Sequence, residues 1–289
     1  MPDSGPLAPL SDPPAVVARP VQALDYGPRT VRPAGPMHLP MLARRVAAID
    51  LALILLVTIV APFGFQITAW LLTPMELEFD VGPIFVAQKW FDFVLAAGLA
   101  CYLCIRHGIT PAAFGVRWNG LLGVLAQLLW SSVAVAGVYA YLAVSAVVIS
   151  VLVLLVPELM GDIRERIDVL KSMPVGRTGL TILLLLPVAA HEEIIFRGLL
   201  LPYLRRLTGH WWVAVLISSA IFGALHLPQG VLGALQITGI GAVLGLIFVW
   251  SRSLLAVTVA HFIFNFVQFQ LIRILPDLQE LLDRFQPEV

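Results

Sequence analysis

Residues 178–204 read TGLTILLLLPVAAHEEIIFRGLLLPYL, an apolar run interrupted by ionisable groups only at His191, Glu192, Glu193 and Arg197. A helix needs roughly 20 apolar residues to cross the hydrocarbon core of a bilayer, and this stretch supplies them. A charge within a span costs about 2.5–3.5 kcal/mol on insertion scales, so it turns towards a partner or a cavity rather than lipid. The stretch therefore points to a helix in a membrane, with a reason to carry charge at mid-depth.

The rest of the chain agrees with a lipid solvent. Of its 289 residues, 59% are hydrophobic and 12% charged, and the mean hydropathy is +0.91. Soluble domains carry about 25% charged residues, so this composition cannot cover an ordinary globular surface. The 18 basic and 18 acidic residues cancel, which gives no footprint for nucleic acid. Cys101 and Cys104 are the only cysteines; lying in an apolar run, they read as packing residues rather than a disulfide framework or a metal site.

Apolar runs at 46–72, 84–105, 121–156, 178–204, 211–227, 230–250 and 254–273 are the candidate spans. The expected fold is all-α, a polytopic transmembrane helical bundle of seven spans, or eight if another short segment inserts, with a polar site buried between helices. The long run 121–156 reads as one tilted helix or as a helix continued along the surface. Arg44, Arg45, Arg106, Arg117, Arg205, Arg206 and Arg252 fall on one side when there are seven crossings. The positive-inside tendency then puts the N-terminus in the cytoplasm, for a protein of the cell membrane. Glu76, Glu78 and Asp80 fall on the other side, and the C-terminal tail bears Asp277, Glu280, Asp283 and Glu288.

Three segments differ in material. Ten of the 21 prolines fall in residues 1–40, which read as a disordered tail, with no apolar run of the kind a cleavable signal needs. The membrane domain is expected over 41–275, followed by a polar tail over 276–289. Segment 157–177 mixes charges with Ile163, Ile167, Val169 and Leu170, and reads either as an amphipathic surface helix or as a solvated loop. Asp50 and Asp92 fall near span ends and read as interfacial, Asp92 pairing with Lys89 at i, i+3. Gly241 and Gly245 are spaced for a close helix contact.

Late in the chain, polar groups recur at one depth. At about 1.5 Å per residue, Glu192 lies roughly 20 Å from Arg205, His226 about 22 Å from Trp211, and Asn265 about 20 Å from Arg252. His261 lies about 13 Å from Arg252. His261 and Asn265 share a helix face at i, i+4, and Glu193 can pair with Arg197 at the same spacing. Glu192 points about 100° away from Glu193, so one acid can be structural while the other is free for chemistry. A carboxylate withdrawn from water is a competent general base, an imidazole can orient water, and an imidazole with an amide can stabilise an oxyanion. Glu192, His226, His261 and Asn265 supply these parts for hydrolysis of an amide. His191 faces elsewhere and reads as packing or hydration.

The stretch from Glu192 to Arg197 resembles the EExxxR signature of the CAAX-protease-like (CPBP) intramembrane endopeptidases, the family of type II CAAX prenyl endopeptidases and lysostaphin resistance protein A-like proteins. Phe222 to His226 is similar to its FxxxH motif and His261 to Asn265 to its HxxxN motif, in family order on separate expected spans. The resemblance covers about 120–272. It implies an all-helical membrane protease in which Glu192, helped by His226, activates water, while His261 and Asn265 form the oxyanion hole. Glu193, Arg197 and Phe222 are then supporting residues. The implied partners are the bilayer and a membrane-associated or lipidated protein or peptide substrate.

No cofactor is expected, but Glu192, His226 and His261 could instead hold a zinc ion as in a metalloprotease, although Ile195 breaks an HExxH pattern. A non-catalytic membrane scaffold or immunity protein is the alternative outside enzymes. A transporter would call for an inverted repeat between the halves, which the sequence does not display.

Overall fold

Proline cannot donate a backbone N–H, so a helix through Pro187 leaves the carbonyl of Leu183 without its usual partner. In lipid no water can fill the gap, so another side chain must. The computed structural model of the chain describes residues 39, 42–72, 81–171 and 178–274, with side chains described except at 60–72, 81–82 and 272–274. There the indole Nε1 of Trp90 donates to the Leu183 carbonyl at 3.1 Å, so a neighbouring helix supplies the missing bond.

The described residues belong to one unit, Pro36–Val289. They form eight helices and no strand: α1 (Arg44–Leu72), α2 (Val81–His107), α3 (Gly120–Leu155), α4 (Met160–Lys171), α5 (Thr178–Thr208), α6 (Trp211–Ala224), α7 (Val231–Ser251) and α8 (Leu254–Ile274). The all-α bundle expected from the sequence is what the chain adopts. Apart from Leu39, the expected tail over 1–40 lies outside the described residues, as do the tail over 276–289 and the acidic positions 76, 78 and 80.

Among the described residues, five helices are long and apolar enough to cross a membrane, namely Pro83–His107 of α2, then α3, α5, α7 and Leu254–Leu271 of α8. Run 121–156 forms one continuous helix. Segment 157–177 is helical through Lys171, and Ile167 and Leu170 of α4 are buried. The expected span 211–227 stops short: α6 has 14 residues, about 21 Å against a core of about 30 Å. Pro228 disfavours helical backbone at the residue before it, and Gly230, at φ 84°, turns the chain into α7. His226 therefore sits in the turn beyond α6, not on a span.

Asp50 gains partners that its own helix does not reveal. It is fully buried, 2.7 Å from His107 Nε2 and 3.6 Å from Arg106 Nη1, and so ties α1 to the end of α2. A buried carboxylate needs such partners to persist. Asp92, also buried, accepts from Gln88 at 2.7 Å and from Lys89 at 3.3 Å.

The core that positions the site is made by α5, α6, α7 and α8, with α3 packed along α7 and α8 and α2 along α5. Gly241 and Gly245 let α6 and α7 approach closely. A Cβ at Gly241 would come within 3.2 Å of Phe222, and one at Gly245 within 3.2 Å of Val215. Replacing Gly245 by Leu overfills this contact, and overpacking of that kind costs about 1–3 kcal/mol. Gly245→Leu is expected to melt in detergent clearly below both wild type and Gly245→Ala; equal melting temperatures for all three would contradict the packing described.

Candidate active site

The arrangement begins with a change of helical register. From Glu193 the α5 backbone passes into a π-helical stretch, Ile194–Leu200, before resuming α geometry at Leu201. Pro202, just beyond, cannot donate to the carbonyl four residues earlier and its ring crowds that carbonyl; the wider register relieves the conflict. Such stretches in helices recur at functional sites. This one carries Arg197, which is almost fully buried.

Arg197 Nη1 donates to Glu193 Oε1 at 2.7 Å and Nη2 to the Gly241 carbonyl at 3.0 Å. Its guanidinium also stands 4.9 Å from the centre of the Phe222 ring. One arginine thereby joins α5, α6 and α7. The expected Glu193–Arg197 pair is present, and a second contact accompanies it that the sequence reading had not paired: His261 Nδ1 lies 2.7 Å from the same Glu193 Oε1. The carboxylate accepts both bonds, so α8 is fastened to the cluster as well.

Glu192 and Glu193 part as expected. Glu193 is fully enclosed, while 20% of the Glu192 side chain remains accessible. Glu192 Oε2 is 3.6 Å from His261 Nε2, too far for a direct hydrogen bond but close enough for both to touch one small molecule between them.

His226 is set by the end of α6. Beyond Ala224 the backbone bonds run from Leu225 to Ile221 and from His226 to Gly223, and the Phe222 carbonyl is taken by His226 Nδ1 at 2.7 Å. A carbonyl can only accept, so Nδ1 carries the hydrogen, and in the neutral ring Nε2 is left as an acceptor. The F-x-x-x-H spacing is thus the spacing of a terminal helix carbonyl to the side chain that satisfies it. The Phe222 ring packs 4.8 Å from the His226 ring and meets His261 edge-on at 6.1 Å.

Glu192, Phe222, His226, His261 and Asn265 all line one cavity of ≈ 190 Å³. Glu193 and Arg197 stand behind its wall. His191 is not among the lining residues, and its Nε2 is buried without a hydrogen-bond partner among the described residues. The sequence reading missed Lys89 and Arg166, which line the same cavity. Lys89 had been read only as the partner of Asp92, and Arg166 is one charge among many in segment 157–177, so no periodicity marked either.

Among the described residues no three His, Cys, Asp or Glu side chains are grouped to hold a metal ion. Glu192, His226 and His261, the set considered for zinc, form no such group.

In this helical bundle a glutamate, two histidines and an asparagine line one cavity. Residues 174–267 match the family model described as Rce1-like, type II CAAX prenyl endopeptidase Rce1-like. The matched segment extends from just before α5 into α8 and contains all three motifs. No curated protein and no solved structure matches the chain.

The buried cluster yields a stability test. Removing one partner of a buried, hydrogen-bonded ion pair costs about 3–5 kcal/mol, because the other charge is stranded. Arg197→Ala is expected to collapse the yield of folded protein in detergent. Arg197→Lys is expected to recover little of it, since a single ammonium does not reproduce the fork that spans Glu193 and Gly241. Size-exclusion profiles and melting curves report this directly; a wild-type profile for Arg197→Ala would show that the pair holds nothing together.

Proposed function

We propose that the protein is an intramembrane endopeptidase that hydrolyses a peptide bond of a membrane-associated protein or peptide, with Glu192 as general base. The observation that carries the reading is the cavity lined by an accessible carboxylate, two imidazoles and a carboxamide, while the neighbouring acid is held by Arg197 and His261. The matched family is described by a prenylated substrate; for this chain, a lipidated or otherwise membrane-associated substrate belongs to the proposal.

In the reaction, Glu192 takes a proton from water as the water oxygen bonds to the scissile carbonyl carbon and the carbonyl electron pair moves onto oxygen. His226 Nε2 accepts a hydrogen bond from the water's other proton and so aims its lone pair. His261 and the Asn265 amide donate to the developing oxyanion. For His261 this requires a proton on each ring nitrogen, one held on Glu193 and one offered to the oxyanion. When the carbonyl re-forms, the C–N bond breaks and the proton on Glu192 passes to the leaving nitrogen. One water is consumed, and an acid and an amine are released.

A library of short peptides, prenylated and unmodified, incubated with purified protein in lipid tests this. General-base groups contribute about 10²–10⁴ in rate and oxyanion donors about 10²–10³. Glu192→Gln is expected to abolish cleavage, and Asn265→Ala to lower kcat by the second factor without changing the melting temperature. Chelation is expected to leave wild-type cleavage intact; activity lost to a chelator and restored by zinc would replace the glutamate mechanism with a metal-dependent one. Cleavage that survives Glu192→Gln would overturn the assignment, and a cellular phenotype that survives it would favour a scaffold.

A further inference from the structure

Helix α5 ends among cations that no described acid answers. Gly209, in the left-handed region at φ 82°, stops the helix, and its N–H bonds back to the Arg205 carbonyl at 3.0 Å. From the last turns Arg206 Nε donates to the Leu42 carbonyl at 2.8 Å, just ahead of α1, which opens with Arg44 and Arg45. Both of these are exposed. The guanidinium groups of Arg44, Arg45, Arg205 and Arg206 are therefore gathered where α1 meets the end of α5. Asp50, the described carboxylate of this end, is engaged by His107 and Arg106. Among the described residues no carboxylate is paired with any of the gathered arginines.

Arg205 shows what the corner lacks. Its guanidinium stands 5.7 Å from the centre of the Trp211 ring, yet Arg205 Nε and Trp211 Nε1 are both enclosed without a hydrogen-bond partner among the described residues. Enclosed donors left open are destabilising. Trp211 also opens α6, whose cap residue His210 makes no side-chain hydrogen bond. The first N–H groups of that helix thus add donors and partial positive charge at the same place. The corner calls for acceptor oxygens that carry negative charge, which a phosphate supplies.

The surroundings decide which phosphate. Trp118, Trp212 and Trp250 are exposed at this end, and tryptophans of that kind settle at the headgroup level of a bilayer. On the outer face of α6, Trp212 and Leu216 lie one turn apart and are exposed, with Val213 and Ile217 beside them. That apolar strip starts at Arg205 and runs into the hydrocarbon, where an acyl chain hangs from a headgroup. Basic pockets beside spans take anionic lipid headgroups. Unanswered arginines favour a headgroup of net negative charge over a zwitterionic one, whose own cation they would repel.

We propose that the corner of Arg205, Trp211 and the start of α6, together with Arg206, Arg44 and Arg45, binds the phosphate of an anionic phospholipid, which clamps α1 to the helix carrying Glu192 and Glu193. The site is separate from the cavity and does not depend on the hydrolase reading. Full-length protein in neutral detergent, stripped of lipid, is titrated with phosphatidylglycerol, with phosphatidylcholine of the same chains, and with glycerol phosphate, which has no chains. Native mass spectrometry reads the bound lipid and thermal denaturation the clamp.

Phosphatidylglycerol is expected to stay bound and to raise the melting temperature several degrees more than phosphatidylcholine does. Each arginine replaced is expected to lower its affinity roughly fivefold, the equivalent of about 1 kcal/mol per cation at a membrane surface. The double variant Arg44→Gln with Arg45→Gln alters exposed positions only, and Arg205→Gln tests the corner itself; both are expected to show the loss. Arg117→Gln, at the same end but outside the cluster, is expected to bind as wild type does. Equal binding of the two lipids would overturn the proposal. So would a preference unchanged in the double variant or in Arg205→Gln, or one lost equally in Arg117→Gln. Glycerol phosphate reproducing the full shift would overturn it too, by showing a site for free phosphate rather than for lipid.

Discussion

The carboxylate of Glu193, held between Arg197 and His261, is the contact on which the rest of the site depends. Within a bilayer the helices gain little from apolar contact with one another, because lipid tails are as apolar as leucine; close packing and interhelical hydrogen bonds must hold them together. Here a single oxygen fastens α5 to α8, and the arginine that shares it reaches the Gly241 carbonyl of α7 and the Phe222 ring of α6. Remove the carboxylate and a buried cation is stranded; remove the cation and a buried anion is. The cluster is stable only when complete, and so it holds the residues around the cavity in one fixed arrangement.

The backbone is adapted to the same end. Pro187 and Pro202 lie on either side of the HEExxxR stretch, and each removes a helical hydrogen bond. The first loss is met by Trp90, and the second lies beside the π-helical register of Ile194–Leu200. Both prolines are tolerated because partners elsewhere in the bundle or a local change of winding satisfy the freed groups. At Phe222 the end of α6 plays the corresponding part, its open carbonyl fixing the tautomer of His226.

What was legible in the sequence follows from which interactions are local. Five of the seven expected spans were legible because lipid imposes length and apolarity on each helix separately. The Glu193–Arg197 pair was legible because one turn of helix brings the two together. The His261–Glu193 bond was not, since it joins residues 68 positions apart and nothing in either helix alone reports it. The early end of α6 was missed because hydropathy continues through Leu225 and Leu227 while the backbone is already turning. The partners of Asp50 were hidden for a related reason: its position near a span end says nothing of His107 and Arg106, which arrive from another helix. Arg166 was lost among the charges of α4, where only the packing on Gly233 distinguishes it.

Two adjacent glutamates then have a simple physical rationale. A carboxylate oxygen bound by a guanidinium and an imidazole serves as a strut between helices. A carboxylate with an accessible edge is free to meet what enters the cavity. Successive helical positions point about 100° apart, so neighbouring acids can face the cluster and the cavity without sharing either. His261 links them, with Nδ1 bonded to Glu193 and Nε2 near Glu192. Glu193 thus orients the ring that borders Glu192, and a change at Glu193 would reach the cavity through His261 even though Glu193 itself does not line it.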